Sequence, residues 1–169
     1  MKRSKRPIRK AKCLVVCEGE TEIKLVEMLK RISGSRRGWH LEDAHGGSPD
    51  KILKEAVIRF KRIKLNAEIS EVFVVLDSEG EWKNEYDEFA KKNHLKLIIN
   101  VPCSEAEFLR IKGVTFPEGS PPHELKSLIK TRYGKEPPNL WSDFTAADLS
   151  SICSCVPRYK SFVNFLCEE

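Results

Sequence analysis

The sequence predicts an α/β fold: a mostly parallel, four-stranded sheet flanked by helices, with a C-terminal helical extension. Short apolar runs alternate with segments whose apolar residues recur at helical spacing, which indicates parallel strands joined by right-handed crossovers. This alternation stops after Pro102, and the rest of the chain shows helical periodicity alone. The length of 169 residues is close to the ~150 residues expected for one domain. We expect a single domain over residues 13–169, preceded by a basic, disordered arm over residues 1–12.

The first strand is predicted at residues 13–17, because the continuous apolar run CLVVC is typical of a strand covered on both faces. The run stops at Gly19 among three carboxylates, Glu18, Glu20 and Glu22. Helical spacing then resumes in four apolar residues, Leu25, Met28, Leu29 and Ile32. The chain therefore begins as a strand, an acidic turn and a helix.

The next elements continue the alternation. The sequence predicts a weak strand at residues 39–44, a helix capped by Ser48 with Pro49 in its first position, a strand at 72–76, a helix at 81–93 and a strand at 95–101. The tail is predicted to hold three helices: one at 105–111, one opened by Ser120 and Pro121, and a last one starting near Pro157. The last helix has an apolar stripe formed by Tyr159, Phe162, Val163 and Leu166. We expect the helical tail to pack on one edge or face of the sheet.

Carboxylates follow two of the predicted strands. Glu18 and Glu22 come after the first, and Asp77 and Glu79 come directly after residues 72–76. Open α/β sheets bind their ligands at the carboxyl ends of the strands, so these side chains are expected to meet. Each pair would repel by about 1 kcal/mol at ~4 Å even at the dielectric constant of water, unless a cation neutralised it. Carboxylate oxygens suit Mg²⁺ or Mn²⁺.

Simpler interpretations of the same acids stay open. Glu18 and Glu22 are also explained as first-turn acids favoured by the helix dipole. Asp77 and Glu79 are also explained as turn formers before Gly80. The occurrence of both pairs at strand ends favours the metal site, whereas Glu20 is expected to face the solvent.

The motifs resemble a known fold family. The Glu-Gly-x-Thr-Glu turn at 18–22 and the Asp-x-Glu turn at 77–79 resemble the Toprim fold of primases, topoisomerases and OLD-type nucleases. The chain is most similar to small, single-domain RloB-like proteins, whose Pro-Cys-Phe-Glu-like and Cys-Pro-x-Phe-like segments correspond to residues 102–105 and 155–159 here. The resemblance spans nearly the whole chain. Glu79 stands where the family has a second aspartate, and Ser104 replaces an aromatic residue.

The resemblance implies a metal-dependent nuclease that cleaves DNA or RNA. Glu18, Asp77 and Glu79 would be its catalytic residues, and Glu22 and Glu105 would help them to hold Mg²⁺ or Mn²⁺. The counterpart of Glu18 in the Toprim fold has a general acid/base role. Glu107, close to Glu105 in sequence, is expected to be a surface acid.

Similar proteins accompany an ABC-type or SMC-like ATPase in phage defence, so such a partner is expected by resemblance. The sequence itself contains no Gly-x-x-x-x-Gly-Lys-Ser/Thr motif. A different class of function stays open: a non-catalytic nucleic-acid-binding or regulatory module that keeps the fold. Homo-oligomer formation stays open as well.

The net charge of +5 is unevenly distributed. Residues 1–12 hold seven Lys or Arg and no acid. Such a cluster gains affinity for nucleic acids by counterion release, so Arg6, Arg9 and Lys10 are expected to contact a phosphate backbone. The alternative is a solvated arm that aids solubility. Basic residues near the substrate are also expected by resemblance at Lys126, Lys130 and Lys135.

The sequence favours a cytoplasmic protein. No apolar run approaches the ~20 residues of a membrane helix, and the basic start lacks the apolar segment of a signal peptide. The six cysteines fit reduced thiols, and Cys13, Cys17 and Cys103 are expected to be buried. A zinc site formed by Cys153 and Cys155 with Cys167 or His123 is the weaker alternative.

Overall fold

The strands of the computed structural model, which describes residues 12–78, 80 and 82–168, form one parallel sheet. The strands are β1 (Lys12–Cys17), β2 (Trp39–Asp43), β3 (Ile69–Asp77) and β4 (Leu95–Asn100). Their order across the sheet is β2-β1-β3-β4, and all three pairings are parallel. With helices on its flanks and a helical C-terminal part, the protein has the predicted α/β fold.

Seven α-helices occur in the described ranges. They are α1 (Glu20–Ser33), α2 (Pro49–Ile63), α3 (Asn84–Lys92), α4 (Ser104–Ile111), α5 (Pro122–Tyr133), α6 (Leu149–Cys155) and α7 (Tyr159–Cys167). Two short 3₁₀ helices, Asn139–Trp141 and Ala146–Asp148, connect α5 to α6. None of the helices in the described ranges has both the length and the apolar character needed to cross a bilayer.

The sheet is covered on both faces, which explains the continuous apolar runs of β1 and β3. Alternate residues of a strand point to opposite faces. Val15 and Phe73 pack with α1, α4, α5 and α7 on one face, whereas Val16 and Val74 pack with α2 and α3 on the other. All four side chains have no solvent exposure. The hydrophobic core is therefore divided by the sheet into two layers.

The C-terminal helix α7 belongs to the first of these layers. Its Phe162 ring meets the Phe73 ring of β3 edge-on, with 4.9 Å between the ring centroids. The predicted stripe of α7 is buried throughout, and Phe165 joins it. The helical extension therefore completes the cover of the sheet.

The structure differs from the sequence prediction mainly in the tail. α6 and the two 3₁₀ helices were not predicted, because the segment LSSICSC of α6 buries only Ile152 and has a serine-rich exposed side. Helix α3 begins at Asn84 instead of residue 81, and α5 begins at Pro122 after Pro121. Lys12, assigned to the basic arm, is the first residue of β1. These differences lie at element ends and in segments with little apolar periodicity.

Candidate functional site

The register of the sheet brings the predicted strand ends together. Cys17 at the end of β1 lies opposite Val75, and Asp77 at the end of β3 lies opposite Asn100 at the end of β4. Because the strands are parallel, all three carboxyl ends lie at one edge of the sheet. The turns into α1 and α4 start at the same edge.

Glu18 and Asp77 meet through a hydrogen bond between neighbouring strand ends. The backbone N–H of Asp77 donates to Glu18 Oε2 at 2.9 Å. The Glu18 backbone N–H in turn donates to Val75 O at 2.8 Å. The Glu18 carboxylate is therefore fixed beside the start of the Asp77 turn, as predicted from the two acidic strand ends.

Glu22 joins this group from the first turn of α1. Its Oε2 accepts a hydrogen bond from the backbone N–H of Gly19 at 3.2 Å, which caps the helix. Its Oε1 accepts from the Ser104 hydroxyl at 2.5 Å. Glu22 is thus both a first-turn acid, as the simpler interpretation states, and a member of the carboxylate group.

Asp77 is held by donors from β4 and α4. Its Oδ1 accepts hydrogen bonds from Asn100 Nδ2 at 3.0 Å and from the backbone N–H of Ser104 at 3.2 Å. The Ser104 hydroxyl, bonded to Glu22, lies 3.3 Å from the same Asp77 oxygen. Ser104 therefore bridges the two carboxylates, and both Asn100 and Ser104 have no solvent exposure.

Burial makes these carboxylates costly to ionise. Desolvation, reinforced by the nearby Glu22 carboxylate, raises the pKa of Asp77 to about 8. Desolvation also raises the pKa of Glu22 to about 7, although the hydrogen bond from Ser104 opposes the rise. Among the described residues, no Lys, Arg or His forms an ion pair with Glu22 or Asp77. Glu22 and Asp77 therefore have no cationic partner among the described side chains, and their raised pKa values favour the protonated, uncharged forms near neutral pH.

Glu105 lies in the first turn of α4 and is 4% exposed. Its charge contributes to the raised pKa values of Glu22 and Asp77, which puts it within electrostatic reach of both. Lys126 Nζ lies 3.6 Å from Glu105 Oε1, and the Lys126 side chain is half exposed. Glu105 is thus a buried member of the carboxylate group whose ion-pair partner, Lys126, is half exposed.

The remaining predicted site residues are dispersed. Lys130 pairs with Glu136, and Lys135 Nζ lies 2.8 Å from Asp143 Oδ2, so both lysines have acidic partners away from the carboxylates. Glu20 is exposed, as predicted. Four predicted site residues lie outside the described part of the chain: Arg6, Arg9, Lys10 and Glu79.

The prediction for Glu107 was wrong, because its side chain has no solvent exposure. The backbone N–H of Val101 donates to Glu107 Oε1 at 2.9 Å. Arg110 Nη1 lies 3.1 Å from Oε2, and Arg158 Nη1 lies 3.3 Å from Oε1. The two arginines supply the charge that lets a carboxylate be buried. One of them comes from the start of α7, which no local sequence signal reveals.

The site residues that sequence reasoning missed are Asn100 and Ser104. In the sequence, Ser104 stands out only as a departure from the aromatic residue of similar proteins, and Asn100 falls within the strand predicted at residues 95–101. One signal was available: a polar residue ends an otherwise apolar strand, and a hydroxyl residue follows Pro102 and Cys103 at the next helix start. Both positions face the edge where the acids were expected.

The donor set fits a hard divalent cation, although the described residues do not complete a metal site. Carboxylate oxygens are the ligands that Mg²⁺ and Mn²⁺ prefer, and a cation would offset the desolvation and repulsion that raise the pKa values of Glu22 and Asp77. Within residues 12–78, 80 and 82–168, no three His, Cys, Asp or Glu side chains are arranged to hold a metal ion. This finding also leaves the alternative zinc site without support in the described chain.

Comparisons of this chain with protein-family models, with curated proteins and with solved structures find no match.

Proposed function

We propose that the protein is a Mg²⁺- or Mn²⁺-dependent nuclease that hydrolyses phosphodiester bonds of DNA or RNA. One observation supports this proposal above the others. Glu18, Glu22 and Asp77, from two strand ends and a helix start, form a connected group at the carboxyl edge of a parallel sheet. Buried acids with raised pKa values at such an edge are typical of functional sites.

In this proposal Glu18, Asp77 and Glu79 hold the cation, assisted by Glu22 and Glu105. Asp77 is suited to this role, because Asn100 and Ser104 occupy its Oδ1 and its Oδ2 accepts no hydrogen bond from the described residues. A bound cation would polarise the phosphate and lower the pKa of the attacking water. Glu18, fixed by the Asp77 backbone, is the residue proposed to move the proton.

The nucleic acid is proposed to approach the carboxylates from the side of Lys126. This lysine is half exposed and lies beside Glu105, so it can face a phosphate while it remains close to the carboxylates. The basic residues Arg6, Arg9 and Lys10 would add contacts that depend on salt. By resemblance, an ABC-type or SMC-like ATPase is the proposed partner, and phage defence is the proposed role.

A second candidate is a binding or regulatory module with the same fold and no turnover. The observation that favours it is the lack of a three-ligand metal group among the described residues. Such a module would bind nucleic acid through its basic residues, and its acids would remain partly protonated instead of holding a cation.

The test compares Glu18→Gln and Asp77→Asn with the parent and with the control Glu20→Gln. Single- and double-stranded DNA and RNA are incubated with Mg²⁺ or Mn²⁺, and cleavage is followed on gels. We expect Glu18→Gln and Asp77→Asn to abolish cleavage, because each removes charge from the cation site, and Glu20→Gln to cleave like the parent. Amides at these positions keep the side-chain size and an acceptor oxygen, so the fold should persist.

Two outcomes oppose the proposal. If Glu18→Gln and Asp77→Asn both cleave like the parent, the assignment of the metal centre to these residues is wrong. A parent that shifts nucleic acids in a gel without cutting any of them, even with the partner ATPase, would favour the binding module.

A further inference from the structure

The C-terminal helix α7 reaches the carboxylate site through a chain of buried hydrogen bonds. The Tyr159 hydroxyl, in the first turn of α7, donates to Asn100 Oδ1 at 2.8 Å. Asn100 Nδ2 donates to Asp77 Oδ1 at 3.0 Å and to Ser104 Oγ at 2.8 Å. The Ser104 hydroxyl donates to Glu22 Oε1 at 2.5 Å. Tyr159, Asn100 and Ser104 have no solvent exposure.

In every hydrogen bond of this chain, the donor lies on the Tyr159 side and the acceptor lies on the carboxylate side. Asn100 Oδ1 carries no hydrogen, so the phenol of Tyr159 must be the donor in their bond. With its oxygen engaged in this way, the amide presents both N–H groups to Asp77 and Ser104. Ser104 accepts one of these bonds, which leaves its own hydrogen for Glu22. The chain therefore delivers donors to both carboxylates and limits the orientations that Asp77 and Glu22 can adopt.

We infer that Tyr159, Asn100 and Ser104 are positioning residues that orient Asp77 and Glu22 to bind the divalent cation, so that the last helix is part of the site. This inference rests on the proposed metal-dependent function. The three residues act through the carboxylates and do not touch the cation themselves. Groups that hold metal ligands in this way typically change metal affinity by about 10-fold to 100-fold when they are mutated.

Removal of the Tyr159 hydroxyl has a specific consequence. In Tyr159→Phe the ring remains, but Asn100 Oδ1 loses its donor inside a buried site. Rotation of the amide would then exchange Oδ1 and Nδ2 and bring an acceptor against Asp77 Oδ1. Without rotation, a buried carbonyl remains unpaired. Either arrangement leaves the Asp77 carboxylate less firmly oriented. Tyr159 would thus act on Asp77 through Asn100, from which it is separated by 59 positions in the sequence.

The test measures Mn²⁺ binding by isothermal titration calorimetry, with melting curves for every variant. The variants are Tyr159→Phe and Ser104→Ala, each of which removes one hydroxyl of the chain. Tyr133→Phe is the matched control for the first, because the Tyr133 ring packs edge-on against Phe108 while its hydroxyl bonds to no described residue. Ser78→Ala is the control for the second, because Ser78 Oγ lies 3.4 Å from Pro102 O at the same sheet edge and forms no hydrogen bond with a carboxylate of the described residues.

We expect Tyr159→Phe and Ser104→Ala to weaken Mn²⁺ binding about 10-fold or more and both controls to bind like the parent. A merely structural role would lower the melting temperature without changing the affinity of the folded protein. If Tyr159→Phe and Ser104→Ala both bind Mn²⁺ with the affinity of the parent, this inference is wrong and the proposed metal centre is unaffected. A parent that binds no Mn²⁺ overturns the metal centre itself, and this inference with it.

Discussion

Asp77 and Glu22 link the stability of the protein to pH. Their ordinary pKa values are 3.8 and 4.5, and in the folded protein they are about 8 and about 7. Between these values the native state holds protons that the unfolded chain has lost. Stability is therefore greatest below the ordinary pKa values and falls as pH rises through the folded ones. For each such proton, the free energy of unfolding falls by up to about 1.4 kcal/mol for every unit by which the pH rises in this range.

We expect the melting temperature in chelator to fall between pH 5.5 and pH 8 for the parent and for Glu20→Gln, and to fall less for Asp77→Asn. The amide cannot ionise, so it avoids the cost of a buried charge. Melting curves at each pH measure the effect. Equal pH dependence in the parent and Asp77→Asn would contradict it.

The same linkage predicts the effect of a cation. A bound divalent ion favours the ionised carboxylates, so added Mn²⁺ should raise the melting temperature more at pH 8 than at pH 5.5. Asp77→Asn should lose most of this gain, because it lacks the ionised ligand. For this site variant, stability in chelator and catalytic activity are therefore expected to change in opposite directions.

At the scale of elements, α7 is integral to the core. Phe162 is fully buried against Phe73, and Leu166 is 3% exposed. Helix α7 covers one face of the sheet and its first turn supplies Tyr159 to the carboxylate site. A short C-terminal helix with an apolar stripe thus has both a packing role and a proposed positioning role.

We expect Phe162→Ala and Leu166→Ala each to lower the free energy of unfolding by roughly 2–5 kcal/mol, because each leaves a cavity in a close-packed layer. Urea denaturation measures the change, and Lys160→Ala on the exposed side of the same helix is the control. If both core variants unfold like the parent, α7 is peripheral.

At the scale of the whole molecule, one prediction concerns the basic residues 1–10, which precede the described part of the chain. The described elements begin with β1 at Lys12, so deletion of residues 1–10 removes none of them. We expect this deletion to leave the melting temperature nearly unchanged, to weaken nucleic-acid binding and to reduce its dependence on salt. Fluorescence anisotropy over a range of KCl concentrations measures the last two effects.

If nucleic-acid binding depends on salt as strongly after the deletion as in the parent, residues 1–10 do not contact nucleic acid, and the solubility interpretation is favoured. Lys126→Ala in the full chain is a useful comparison, because it removes a single cation beside Glu105 and should reduce the dependence on salt by about one phosphate contact.

The sequence by itself predicted the layered α/β fold and the edge of the sheet that carries the acids. Continuous apolar runs reveal buried parallel strands, because both faces of each strand must exclude water. Acidic turns after the first and third strands placed Glu18 and Asp77 near each other, because parallel strands end at the same edge. These patterns are local, so they can be recognised without knowing which residues come into contact in the folded protein.

Only the tertiary structure decided how the acids are held. Ser104 bonds to Glu22 across 82 positions, and Tyr159 bonds to Asn100 across 59. The burial of Glu107 depends on Arg158, which is also remote in sequence. A hydrogen bond or ion pair depends on distance in space, whereas periodicity reports only which face of its own element a residue occupies. The sequence therefore determined where the carboxylates gather, and packing of α4 and α7 decided which donors orient them.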